Sequence, residues 1–211
     1  CLLFMLGLTG TLQAQTQNSM TEVIPFKTID GKIIVEVIVN GEPADFVLDL
    51  AGHNALLPEA VKRLHINTKK NGSFKSYDDF VFKKVPVENV YEIETLAIGN
   101  NTFSNNLPAF ILKEEPYLRK LGVEGILNSS LFRSSVLTID LKRKKLTITQ
   151  PYRPSYIKLN YRSDFDIVTG LGAVCPISIQ GKSVSFVLDT WNENIINLTE
   201  KDFNEWSISH T

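Results

Sequence analysis

An internal repeat constrains this 211-residue chain more than any other feature of its sequence. Residues 33–49, IIVEVIVNGEPADFVLD, align without a gap on residues 173–189, AVCPISIQGKSVSFVLD, at an offset of 140 residues. Gly41 meets Gly181, Phe46-Val47-Leu48 meets Phe186-Val187-Leu188, and Asp49 meets Asp189. Val37 and Val39 meet Ile177 and Ile179, and the turn Asn40-Gly41 meets Gln180-Gly181. Each copy reads as a hairpin whose second strand, apolar enough for a core, ends in a carboxylate. Taken singly, either aspartate reads as a turn or cap residue that accepts backbone N–H bonds. Taken as a repeat, the two units are expected to pack about a pseudo-two-fold axis, each bringing one carboxylate to it. Two adjacent carboxylates cannot both ionise cheaply and so share a proton. One can then act as a base toward water and the other as an acid toward a carbonyl.

The rest of the chain is patterned mainly as strands. Asp30-Gly31 and Asn40-Gly41, set between apolar runs, predict a three-stranded meander over residues 23–49. Pro58 suits the first turn of a short helix over 58–65, with Ala60, Val61 and Leu64 as its apolar face. Strand character returns over 74–112, with Gly99-Asn100 as a turn, and EEPYLRKLG (114–122) reads as a short helix or turn. GILNSSLF (125–132) follows, then strands at Val136–Ile139 and Leu146–Ile148 around the basic run Lys142–Lys145, a solvated turn. PYRPSY (151–156) carries two prolines and opens a linker over 151–160. Strand patterning then resumes, with Gly170 and Gly172 marking a turn and Thr199 placed as a helix N-cap.

Composition removes several function classes. A net charge of -1 argues against a nucleic-acid surface. Three scattered histidines and one cysteine after the N-terminal segment give no metal-ligand spacing and no disulfide framework, so neither metal nor cofactor is expected. Cys175 reads as a small buried hydrophobe, and His53 as a surface residue beside a turn. Residues 2–9 are apolar and the next stretch is small and polar. This reads as a signal-peptide remnant over 1–14 followed by a polar leader over 15–22, with an N-terminal anchor as the alternative. Export to a bacterial periplasm or the extracellular space is the corresponding expectation, with no membrane span in the mature chain.

With FVLDLAG at 46–52, GILNSSLF at 125–132 and VLTIDLKRKKLTI at 136–148, the chain resembles the aspartic peptidases of the retropepsin and pepsin type. In that family each lobe has a hairpin, an apolar strand ending in Asp-Thr/Ser-Gly, a short helix, and an apolar-apolar-Gly segment crossing under the aspartate loop. The resemblance implies a mainly β fold of acid-protease barrel lobes with short helices. It implies a first lobe over 23–150 and the start of a second over 161–211, expected to be incomplete because few residues follow Asp189. It implies Asp49 and Asp189 as the catalytic pair, working without metal or covalent intermediate. The implied partner is a peptide or protein substrate lying extended between lobes, under a hairpin from the 74–98 region. Lobe–lobe pairing, or a homodimer bringing two copies of Asp49 together, is the implied assembly.

The loop residues depart from the family pattern. Asp-Thr-Gly becomes Asp49-Leu50-Ala51, followed by Gly52, in the first copy and Asp189-Thr190-Trp191 in the second. The family threonine hydroxyls grip across the lobes. Leu50 has none, so only Thr190 can supply one side of the grip. Trp191 stands where the family has glycine, and needs a rearranged loop or fills the cleft. Asn128 replaces the glycine of the crossing segment, where its tolerance of unusual backbone angles is expected to serve. The reading is therefore an aspartic endopeptidase. The alternative is a catalytically impaired relative that binds extended peptides or serves as a scaffold.

Overall fold

The computed structural model describes residues 20–67, 74–77, 84–87, 90–112, 115–150, 163–168, 172–179 and 181–192, together with 153, 158, 160, 200 and 204. The expected signal remnant, residues 15–19 of the leader, most of the linker, Gly170 and Thr199 lie outside the described residues.

The first half of the chain is laid out by its turn residues. Strands β1 (Met20–Pro25) and β2 (Lys27–Ile29) are followed by β3 (Lys32–Val39) and β4 (Glu42–Leu48). Asp30-Gly31 and Asn40-Gly41 both take positive φ at both residues. That is the two-residue hairpin geometry whose twist matches the flanking strands. The meander differs from the sequence expectation at one point. The run over 20–29 breaks at Phe26, so β2 pairs with β3 while β1 leaves to pair with another strand. The side chain of Phe26 is buried at this break, which anchors the change of sheet in the core.

Next come β5 (Ala55–Leu56), helix α1 (Pro58–Arg63), the paired strands β6 (Phe74–Tyr77) and β7 (Lys84–Val87), and the long hairpin β8 (Val90–Ile98) and β9 (Asn101–Ile111). Helix α2 (Pro116–Leu121) starts with proline in its first turn and ends at Gly122 in the left-handed conformation. Strand β10 (Gly125–Leu127), a 3-10 turn over Ser129–Phe132, and strands β11 (Val136–Asp140) and β12 (Lys145–Gln150) complete the first part. The basic run between β11 and β12 forms an exposed turn. Strand β12 pairs with both β11 and β1.

Six strands close into a barrel in the order β3-β4-β10-β5-β9-β8, with β8 returning to β3 through Ile38↔Ala97 and Val39↔Leu96. The fold is mainly β, with short helices. Its interior holds Val35, Phe46, Leu48, Leu56, Ile93, Leu96 and Leu127, all fully buried. Each such side chain contributes about 1.5–3 kcal/mol through its removal from water. Within the barrel strands, Gly125 leaves no room for a side chain. A Cβ built there would lie 2.0 Å from the Ala55 carbonyl oxygen, so only glycine lets β10 slide between β4 and β5.

The second part holds β13 (Asp166–Val168), β14 (Gly172–Ile179) and β15 (Lys182–Val187) in one antiparallel sheet. The β14–β15 hairpin has the register of β3–β4 displaced by the offset of the sequence alignment. Ile34↔Val47 corresponds to Val174↔Val187, and Val39↔Glu42 to Ile179↔Lys182. Gly41 and Gly181 both have positive φ. Cys175 is half-buried rather than buried, because β14 exposes much of its outer face, Ile177 included.

Candidate functional site

Strand β4 carries its pairing one residue past its end: the Asp49 N–H donates to the Leu127 carbonyl at 2.9 Å. The chain then turns, and the Asp49 carboxylate accepts the Ala51 N–H at 3.0 Å. Asp49 is buried at the floor of this turn. Its counterpart Asp189 follows β15, is exposed, and accepts two amides at one oxygen, Trp191 N–H at 2.7 Å and Asn192 N–H at 3.0 Å. Each aspartate thus folds its own loop by accepting amides ahead of it, as a turn-forming carboxylate does.

The two loops meet directly. The Leu50 N–H donates to the Thr190 hydroxyl at 3.0 Å, and that hydroxyl donates to the Leu48 carbonyl at 3.0 Å. One side chain therefore satisfies two backbone groups on the far side of the contact. Leu50 and Thr190 occupy matching positions in the two copies, and an aspartate immediately precedes each. The reciprocal bond is missing because Leu50 has only a hydrocarbon side chain, which is buried instead.

Beside this bond Ala51 forms a bridge with Gly172, and the Ala173 N–H donates to the Leu50 carbonyl at 3.3 Å. A Cβ on Gly172 would lie 2.0 Å from the Leu50 oxygen and 2.7 Å from the Ala51 Cα, and its φ is +92°. Glycine is required there on both counts. Ala51 is accommodated without positive φ; within the first loop it is Gly52, one residue further on, that takes it.

The floor of the first loop is a polar network that the sequence reading found only in part. Strand β10 passes beneath the loop, parallel to β4 and antiparallel to β5. Asn128, just after it, donates its side-chain amide to the Gly52 carbonyl at 2.7 Å and accepts the Ser130 N–H at 3.1 Å, capping the 3-10 turn. Its backbone is extended, with φ -104° and ψ 174°. Asparagine therefore serves here through its side chain, not through any tolerance of strained angles, which corrects the sequence expectation. Asn54 and Ser129 were not anticipated. The buried Asn54 accepts the Asn128 N–H at 3.0 Å and donates to the Pro108 carbonyl at 3.3 Å. The Ser129 hydroxyl donates to the Leu50 carbonyl at 2.8 Å. No local pattern marked either: Asn54 lies between His53 and Ala55, and Ser129 between Asn128 and Ser130.

Trp191 does not need to stand in open space. Its indole packs against the barrel core, with Tyr117 edge-on at 5.6 Å between ring centroids and the Lys32 ammonium 5.2 Å from its centroid. Lys32 also donates to the Trp191 carbonyl. His53 is half-buried rather than on the surface, edge-on to Phe110 at 6.2 Å, and burial lowers its pKa to about 4. It is neutral at physiological pH in this setting. Among the described residues no group of three His, Cys, Asp or Glu side chains is placed to hold a metal ion, and no helix is long and apolar enough to cross a membrane.

No protein-family model matches the chain, and no curated protein does. Among solved structures, a retropepsin-like aspartic protease from Rickettsia conorii is similar to it at 18% identity and a TM-score of 0.39, over 62% of this chain and 90% of that one.

Proposed function

We propose that Asp49 and Asp189 form a carboxylate pair that hydrolyses peptide bonds in the manner of an aspartic endopeptidase. The observation that carries this reading is the Thr190 hydroxyl, which joins the two aspartate-bearing loops at matching positions of the two hairpins. The shared hairpin register and the alignment offset support it, since a two-unit arrangement about one axis delivers both carboxylates to the same place. On this reading residues 23–150 form one lobe, residues 161–211 belong to a second, and the protein is exported.

The pair would hold one proton and one water. The ionised carboxylate takes a proton from the water as its oxygen attacks the peptide carbonyl, and the protonated carboxyl donates to the carbonyl oxygen. The resulting gem-diol collapses with proton transfer to the leaving amine, which restores the shared proton. The substrate would lie extended, pairing its backbone with a strand edge. The departures at Leu50, Ala51 and Trp191 favour a second reading, a peptide-binding relative without turnover, because productive carboxylates must be held within roughly 0.5 Å.

The deciding assay incubates the full-length protein with an unfolded protein substrate from acid to neutral pH. Cleavage that disappears in both Asp49→Asn and Asp189→Asn is the expected result. Cleavage unaffected by either substitution overturns the proposal. Saturable peptide binding without cleavage establishes the second reading instead.

A further inference from the structure

Thr190 supplies one hydroxyl where two matching positions could each have supplied one. A different device ties the second loop to the barrel. Lys32, the first residue of β3, is 4% exposed although it carries an ammonium group. Burying that group is expensive unless it is satisfied. Its Nζ donates to the Trp191 carbonyl and lies over the Trp191 indole, which Tyr117 meets edge-on. The peptide unit that accepts from Lys32 at its oxygen donates at its other end, through the Asn192 N–H, to the Asp189 carboxylate. An ammonium, one peptide unit and the Asp189 carboxylate therefore follow one another in a chain of hydrogen bonds, and such chains hold their members cooperatively.

The alignment offset makes the placement specific. Lys32 matches Gly172, and Trp191 matches Ala51. The same pair of positions is thus in contact on both sides of the loop junction. On one side the backbones touch, Ala51 against Gly172. On the other side a long cationic side chain and a large aromatic ring fill the same role. Two departures that look like losses in isolation, tryptophan for glycine and leucine for threonine, are matched by a lysine elsewhere in the chain.

We propose that Lys32 is a positioning residue. With Trp191 and Tyr117 it forms a cationic–aromatic clasp that fixes the Asp189 loop on the barrel and takes over the hold that a hydroxyl at position 50 would provide. The clasp itself is independent of catalysis; its consequence for turnover rests on the aspartic-peptidase reading above.

The test uses the full-length protein carrying Trp206→Phe, so that Trp191 reports among the two tryptophans of the sequence. Lys32→Met keeps the length of the side chain and removes its donor and charge. With barrel circular dichroism unchanged, Trp191 emission should shift to the red and its acrylamide quenching should rise severalfold. Exchange of the Trp191 and Asn192 amides should accelerate by about 10–100-fold, the scale of one lost charge-assisted hydrogen bond. Adding Leu50→Thr should restore much of the protection, because the missing hydroxyl bond can then form. Unchanged emission, quenching and amide exchange in a folded Lys32→Met protein overturn the proposal, and so does a failure of Leu50→Thr to rescue. If Lys32→Met does not fold, Tyr117→Leu takes its place. Raised Trp191 quenching there supports the clasp, and unchanged quenching overturns it. Where cleavage is present, Lys32→Met should lower kcat more than it raises KM. Absence of cleavage in the parent bears on the peptidase reading alone, because the fluorescence and exchange readouts do not depend on it.

Discussion

Thr190→Val isolates the contact on which the site depends. Valine keeps the shape of threonine and removes only the hydroxyl. Two backbone groups lose their partner: the Leu50 N–H, 3.0 Å from Oγ1, and the Leu48 carbonyl, also 3.0 Å away. Both residues are buried, so water does not readily replace the hydroxyl. An orphaned buried N–H costs about 1–3 kcal/mol. An under-satisfied carbonyl costs less, because its second lone pair can still be engaged. Together they amount to about 2–4 kcal/mol against docking of the β13–β15 sheet on the barrel. Hydrogen exchange of the Leu50 amide reads this directly, since its protection depends on Thr190. At about 1.4 kcal/mol per factor of ten, exchange should accelerate by roughly 30- to 1000-fold. Thr190→Ser, which keeps the hydroxyl, should change it far less. If Thr190→Val leaves Leu50 exchange within about threefold of the parent, the hydroxyl does not join the loops and the account of the site fails. Equal acceleration in the serine and valine variants would refute it too, because packing of the methyl group would then be responsible.

Two further outcomes follow from the geometry. Gly125→Ala sets a Cβ 2.0 Å from the Ala55 oxygen, against backbone that cannot swing aside. It should cost more than the ~1–3 kcal/mol of ordinary overpacking and open the barrel at β10; near-parental thermal stability would contradict the insertion of β10 between β4 and β5. His53, whose pKa is lowered to about 4 by burial, binds its proton more readily unfolded than folded. Its contribution is therefore complete above pH 6.5 and is lost as pH falls from about 6.5 toward 4. His53→Gln should reduce the drop in Tm between pH 7 and pH 5, and an unchanged drop would place the acid sensitivity elsewhere.

Much of the fold was legible in the sequence because its signals are local. Asp-Gly and Asn-Gly between apolar runs have few backbone solutions, and the turns at residues 30–31 and 40–41 adopt the hairpin form. Proline at 58 and 116 set two helix starts for the same reason. The register of the second hairpin also follows from its alternation of residues. By contrast, the split at Phe26 was hidden, since the apolar pattern of the sequence runs on across it while the hydrogen-bonding partner changes. Which partner a strand takes is a property of the packed sheet.

At the site the division is sharper. The sequence by itself placed both aspartates at the ends of apolar strands and identified Thr190 as the one available hydroxyl, because residue type and spacing are intrinsic to the chain. It could not place Lys32, Asn54 or Ser129, whose roles arise from contacts across 159, 74 and 79 positions. Nor could it show that Trp191 is received by a lysine and a tyrosine rather than crowding a cleft. Only tertiary structure decides such matters. A buried polar group must find its partner wherever the fold brings one, and no local pattern records where that is.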